Sequence, residues 1–265
     1  MDRVKLKRGG QVLAPSLFTM GNMACGFYSL LAAHHGDFAS AATAILGGII
    51  FDMLDGRVAR LLRGESTFGV EFDSLSDFLT FGVAPAYMMY SFTLKDYGVW
   101  AFPLSFSFAL CGGLRLARFN AVAHAGTGSK THFQGLPIPA GAGFLASFVL
   151  IYDIMEEQRP AHTLGLIMGQ VHELLFLAPF ITVGLGLLMV SSIPYAAFKQ
   201  ANLFQRKALP LLSLAVVVLI LVYFYPQNAI FLIFLAYVLS GLMGLAGRPL
   251  RHEAPVQPHD SFGEI

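Results

Sequence analysis

Residues 51–60 read Phe51-Asp52-Met53-Leu54-Asp55-Gly56-Arg57-Val58-Ala59-Arg60, and residues 69–77 read Gly69-Val70-Glu71-Phe72-Asp73-Ser74-Leu75-Ser76-Asp77. The flanks are apolar: Phe38 to Phe51 and Phe78 to Phe92 hold no charged side chain. Taken with its half of the acidic segment, each flank approaches the roughly 20 residues that a membrane-crossing helix needs. The segment therefore reads as the turn region of a transmembrane hairpin, with carboxylates just inside one interface. A carboxylate at that depth is costly and marks a functional site.

The same pattern extends outward through the chain. About eight stretches have the required length and polarity, near 16–34, 38–60, 74–93, 98–118, 137–155, 174–195, 208–225 and 228–246. Of 265 residues, 55% are hydrophobic and 12% charged, with mean hydropathy +0.64. A water-soluble domain carries about 25% charged residues. The expected fold is an all-α polytopic integral membrane bundle. The first span is expected to remain in the chain, because further spans follow at once. Seventeen basic against sixteen acidic residues give a net charge of +1, which argues against a nucleic-acid partner. Two cysteines, Cys25 and Cys111, sit inside apolar stretches and exclude a disulfide scaffold.

Positive charge gives the orientation, since cytoplasmic loops accumulate Lys and Arg. Arg3, Lys5, Lys7 and Arg8 precede the first span. Every second connection repeats the bias, with Arg57, Arg60 and Arg63, then Arg115, Arg118 and Lys130, then Lys199, Arg206 and Lys207, and finally Arg248 and Arg251. The other side keeps Lys95 and Arg159. Both termini and the aspartates are thus expected on the cytoplasmic face. Val4 to Leu13 read as a short interfacial lead-in, and Arg251 to Ile265 as a mobile tail.

On a helix, Asp52 and Asp55 share a face at i,i+3, as do Asp73 and Asp77 at i,i+4. The two pairs can face each other across the hairpin. Two divalent cations would balance four carboxylates, and all-oxygen ligation favours Mg²⁺ or Mn²⁺. Gly56 and Ala59, one turn beyond Asp52 and Asp55, leave room for a bulky anion. Arg60 offers a fork suited to phosphate, and Gly69 clears the loop–helix junction. A two-metal carboxylate site is a recurrent device for phosphoryl chemistry. An ion-coupled transporter also holds buried aspartates, but it would not need the interleaved Gly, Ala and Arg.

Asp52-x2-Asp55-Gly56-x2-Ala59-Arg60-x8-Gly69-x3-Asp73-x3-Asp77 matches the signature of the CDP-alcohol phosphatidyltransferases, with eight fixed positions over 26 residues. Further blocks resemble the phosphatidylserine synthase branch. They are Pro15 to Phe27 (with Ser16 where Asn is more usual), Arg115 to Asn120, Phe133 to Ala140, and Met189 to Tyr195. The resemblance implies displacement of CMP from CDP-diacylglycerol by the hydroxyl of L-serine, two divalent metals, membrane lipid as the setting and a homodimer. By position, Asp52, Asp55 and Asp73 are implied metal ligands, and Asp77 a ligand and the general base. Gly56, Ala59, Arg60 and Gly69 are implied to cradle the nucleotide. The catalytic membrane domain would span 1–200, additional helices 201–250, and a tail 251–265.

Other residues are candidates on depth and polarity. Thr19 and Asn22 of the first span would contact the nucleotide or bond a neighbouring helix. Arg115 or Arg118 would pair with the serine carboxylate, or anchor topology, and Asn120 and Gln134 are polar candidates beside them. Pro137 and Pro139 would fix the direction of re-entry into the membrane. His34, His35, His124, His132 and His162 read as surface histidines. Rival readings are a phosphorylated acceptor, such as glycerol 3-phosphate or inositol phosphate, which would want a denser basic cluster, and a prenyltransferase, which would want two separated Asp-rich motifs.

Overall fold

The structure is a computed structural model that describes residues 2–62, 67–124, 132–156, 175–196 and 225–246. Helix α1 spans Asp2–His34, and α2 spans Phe38–Leu62. Between them Gly36 adopts φ +80°. Its N–H reaches Ala33 O at 3.2 Å while Asp37 N–H reaches Ala32 O at 3.0 Å, the paired bonds of a Schellman end. Asp37 then caps α2, its Oδ1 accepting the Ser40 N–H at 3.0 Å. Hydrogen bonds from the Ser40 side chain and backbone hold the Asp37 carboxyl below the ordinary carboxylate range.

Helix α3 (Thr67–Asp77) passes through a π turn, Phe78–Val83, into α4 (Ala84–Phe92). Pro85 has no N–H to return to Phe81, and Ala84 N–H bonds Leu79 O instead, five residues back. A 3-10 segment, Leu94–Trp100, kinks at Gly98 (φ 59°, ψ −124°) and leads to α5, Ala101–His124. Strand β1 (His132–Gln134) precedes α6 (Ile138–Glu156). A 3-10 turn at Leu175–Leu177 opens α7 (Ala178–Val190). Strand β2 (Pro194–Ala196) and α8 (Pro226–Ala246) complete the described elements.

Helix α6 is apolar all round, as a helix enclosed by others must be. It is buried without interruption from Ala140 to Ile151 and packs on α2, α4, α5, α7 and α8. Around it Ile45, Phe81, Met88, Met89 and Phe108 join its own Leu145 and Val149 in the core. The outside is apolar too. Phe102, Phe106, Leu110 and Leu114 make an exposed stripe at i,i+4 spacing along α5, a surface suited to acyl chains rather than water. Phe38–Ala59, Leu94–Val122 and Pro226–Met243 are long and apolar enough to cross a membrane, and Ile138–Tyr152 and Leu175–Val190 are shorter apolar helices. This is the construction of a helical membrane protein.

The structure refines several expectations. The third candidate span starts at Thr67 rather than 74 and carries the π turn. Val4 to Leu13 belong to α1 itself. The sixth span ends at Val190, where Ser191 turns to extended backbone (φ −62°, ψ 162°), so Tyr195 is not helical. The architecture is helical as expected, with one addition, a small antiparallel ribbon in which His132 lies opposite Ala196, Phe133 opposite Tyr195 and Gln134 opposite Pro194. Pro137 and Pro194 interrupt the helices there, and backbone groups released near the membrane must find partners. Gly135 N–H bonds Ile193 O at 2.9 Å and Leu136 N–H bonds Leu188 O at 3.0 Å. Gly135 has φ +81°, and a Cβ on it would lie 2.2 Å from Met189 O. Only glycine fits that crossing. All but the last residue of the seventh candidate span (208–225), the lead-in His162 to Val171, the boundary at residue 200 and the tail lie outside the described residues.

Candidate active site

Asp52 lies on α2, and Asp73 and Asp77 lie on α3. One carboxylate oxygen from each falls within 4.8 Å of the others. Two unit charges at that separation repel by about 3 kcal/mol at an effective dielectric of 20, so the group calls for a compensating charge. Asp55, one turn beyond Asp52, is buried. Asp52, Asp73 and Asp77 thus converge from facing helices, while the Asp55 carboxylate accepts from Thr19. α2 packs chiefly on α1 and α6, and α1 packs against both α2 and α3.

Helix α1 is the strut of the site. The Thr19 hydroxyl donates to Asp55 Oδ2, and Asn22 Nδ2 donates to Asp77 Oδ1 at 2.9 Å. In return α3 and the π turn donate to the α1 backbone, Ser76 Oγ to Thr19 O at 3.0 Å and Thr80 Oγ1 to Asn22 O at 2.9 Å. Close approach makes these bonds possible. A Cβ on Gly26 would sit 2.4 Å from Thr80 Oγ1, and one on Gly48 would sit 2.5 Å from Thr80 Cγ2 and 2.9 Å from Asn22 Oδ1. Thr19 and Asn22, candidates for nucleotide contact, are therefore engaged with the aspartates. Ser76 and Thr80 escaped the sequence reading. Their signal was the polar stripe Asp73, Ser76, Asp77, Thr80 at i, i+3, i+4 and i+7.

Gly56 and Ala59 are partly buried on α2, one turn beyond Asp52 and Asp55, and Gly69 stands one turn before Asp73. The side chains of Arg60 and Gln134 lie outside what the structure describes. Arg115 and Arg118 part company: Arg118 is exposed, while Arg115 is partly buried, its Nε shut off from solvent and without a hydrogen-bond partner. Asn120 Nδ2 donates to Ser74 Oγ at 2.9 Å, tying α5 to α3. Both cysteines are free thiols. His34 Nδ1 lies 3.2 Å from Tyr87 Oη, remote in sequence from the acidic cluster and exposed.

The donor set is oxygen from carboxylates, supported by a hydroxyl and an amide. It fits hard divalent cations and lacks the thiolate and imidazole of a zinc site. The amino-acid sequence as a whole is similar to known proteins. Residues 12–175 match the CDP-alcohol phosphatidyltransferase family. The chain is 35% identical over 234 residues to a CDP-diacylglycerol–serine O-phosphatidyltransferase of Helicobacter pylori, covering 87% of this chain and 90% of that protein. It is 36% identical over 188 residues to an archaetidylserine synthase of Methanothermobacter thermautotrophicus, covering 69% and 70%. With the Mycobacterium tuberculosis CDP-diacylglycerol–serine O-phosphatidyltransferase it shares 31% identity over 230 residues, 85% of this chain and 76% of that one. Carboxylate geometry, signature and similarity over most of the length agree, and the chain belongs to the CDP-alcohol phosphatidyltransferase family.

Proposed function

We propose that this chain transfers the phosphatidyl group of CDP-diacylglycerol to the hydroxyl of L-serine, giving phosphatidylserine and CMP. The observation that carries the reading is the convergence of Asp52, Asp73 and Asp77 within 4.8 Å, in a chain whose relatives are named for transfer to serine. Asp52, Asp55, Asp73 and Asp77 would hold two divalent cations, Mg²⁺ or Mn²⁺. Bound there, the cations supply charge neutralisation for the pyrophosphate and for departing CMP.

The chain's own groups do the rest. Serine's hydroxyl has a high pKa, so attack at neutral pH needs a base in hydrogen-bond reach. Asp77 serves as that base. The Asn22 bond to its Oδ1 fixes the carboxylate plane and leaves lone pairs for the substrate proton. The serine oxygen bonds to phosphorus as the bond from phosphorus to CMP oxygen breaks, and the proton goes to Asp77. Gly56, Ala59, Arg60 and Gly69 cradle the nucleotide. Arg115 takes the serine carboxylate in a charge-assisted bond, with Arg118, Asn120 and Gln134 at the margin of the acceptor site. The site faces the cytoplasm from the inner membrane, in a homodimer whose subunits have about eight spans and cytoplasmic termini. Residues 1–200 form the catalytic domain, and 201–250 add C-terminal helices.

A micelle assay with CDP-diacylglycerol, Mn²⁺ or Mg²⁺ and labelled serine tests this, run beside glycerol 3-phosphate and inositol phosphate. The expected result is metal-dependent CMP release with label entering lipid for serine only. CMP release with another acceptor overturns the serine assignment, and no release with any acceptor overturns the transferase reading.

A further inference from the structure

Helix α5 lies antiparallel to α3 and the π turn, and close contacts give the register. A Cβ on Gly112 would lie 3.7 Å from Gly82 Cα, and one on Gly113 would lie 3.0 Å from Phe78 Cε2. Nearer the start of α3, Asn120 Nδ2 donates to Ser74 Oγ at 2.9 Å. Residue numbers thus rise along α5 as they fall along α3. Gly113 and Asn120 share one face of α5 at i,i+7, and Ser74 and Phe78 share the facing side of α3 at i,i+4. At the π turn the two elements meet through glycine, where backbones in a membrane bundle approach closely. Beside the aspartates they meet through a polar pair.

Asn120 is partly buried although Phe119 and Ala121 beside it are exposed, so its side chain turns inward. A serine hydroxyl can accept and donate at once, and Ser74 does both. Its Oγ accepts from Asn120 and donates to Val70 O at 3.1 Å. The second bond runs back one turn along α3, a contact that by itself tends to bend a helix. With Asn120 holding the same oxygen from α5, the turn that begins at Gly69 and Val70 and carries Asp73 is pinned. Farther along, α3 is tied to α1 by Ser76 Oγ on Thr19 O and by Asn22 Nδ2 on Asp77 Oδ1. Asp73 therefore stands between two anchors, α5 through the next residue and α1 through the following turn, while its carboxylate comes within 4.8 Å of those of Asp52 and Asp77.

We infer that Asn120 is a positioning residue for the cation site: through Ser74 it holds the turn of α3 that presents Asp73 to Asp52 and Asp77, so that the carboxylates are in place before a divalent cation arrives. This rests on the two-cation reading above, and it gives Asn120 a task on the metal side of the site, distinct from contact with serine. Carboxylates this close repel one another, and a turn free to unwind would carry Asp73 away from its neighbours. The Asn120–Ser74 bond opposes that movement. Ordering the turn in advance lowers the cost that binding must otherwise meet. Asn120 acts through the α3 backbone rather than by touching a reacting atom.

The test uses the full-length chain in detergent micelles, with free Mn²⁺ measured by electron paramagnetic resonance and no substrate present. Asn120→Leu and Ser74→Ala should each weaken Mn²⁺ binding about tenfold, the scale for losing a group that supports a metal ligand. The double variant should be no weaker than either single one, because the two side chains act as one unit. Ser74→Thr keeps the hydroxyl and should bind Mn²⁺ as the parent does. With CDP-diacylglycerol and saturating Mn²⁺, the KM for serine in Asn120→Leu should stay within about twofold of the parent. Should Asn120→Leu fail to fold, Ser74→Ala and Ser74→Thr carry the comparison. Unchanged Mn²⁺ affinity, additive losses in the double variant, or a loss in Ser74→Thr as large as in Ser74→Ala would each overturn the inference. A raised serine KM with Mn²⁺ affinity intact would place Asn120 in the acceptor site and overturn it as well. A parent that binds no Mn²⁺ removes the cation reading beneath it.

Discussion

Asp77 has two partners to satisfy, its fellow carboxylates and the amide of Asn22. Replacing it by Asn keeps shape and removes the basic oxygen. Asp77→Asn should lower CMP release by about 10²- to 10⁴-fold, the usual range for a lost general base, and leave much of the CDP-lipid binding. Turnover and retention on a CDP-lipid support measure the two, and full activity in the variant removes the base assignment. The aspartates were legible in the sequence because helical spacing alone places them on shared faces. Thr19 and Asn22 were legible as polar residues in an apolar span, but not as partners of Asp55 and Asp77, since pairing across 36 and 55 residues leaves no local trace.

At the scale of elements, the site depends on how closely α1, α2 and the π turn approach. Gly48→Ala would drive a methyl into Thr80 Cγ2 and Asn22 Oδ1 and so disturb the amide that holds Asp77. CMP release should fall by about ten- to a hundredfold, the scale of a misplacement near 1 Å. Gly184→Ala, where a Cβ meets nothing within 4 Å, is the matched control and should be unaffected. The Asp37 cap makes a separate prediction. Asp37→Ala should cost about 1 kcal/mol of stability in thermal unfolding. Because the folded Asp37 carboxyl is held below its ordinary value, its contribution is complete above about pH 4 to 5 and fades as pH falls through the depressed folded value. The gap between parent and variant should therefore be flat near neutrality and close only in acid. The turn at Gly36 and Asp37 has local turn chemistry, whereas the π turn follows from Pro85 meeting a buried Phe81 and could not be read from hydropathy.

For the whole molecule, a cluster of carboxylates is a source of strain that bound cations relieve. Adding Mn²⁺ at about a hundredfold excess over its dissociation constant should stabilise the folded chain by about 2.7 kcal/mol, seen as a rise of several degrees in Tm. Asp73→Asn should abolish most of that rise, and chelation should reverse it in the parent. Hydropathy gave the membrane class and most helix positions, because lipid contact imposes itself on every outward residue, as along Phe102, Phe106, Leu110 and Leu114. It could not give the β1–β2 ribbon, whose strands are separated by the whole of α6 and α7. Chain length itself is negotiable at one place. The π turn from Phe78 to Val83 accommodates one residue more than an α-helix of the same rise, so the flanks sit as though that residue were absent. Shortening the chain by one residue inside this turn would let the helix close to regular geometry with both flanks in phase. The same deletion anywhere else in α3 or α4 would rotate one flank by about 100° against the other, turning either the carboxylates or the outer core face away from its neighbours.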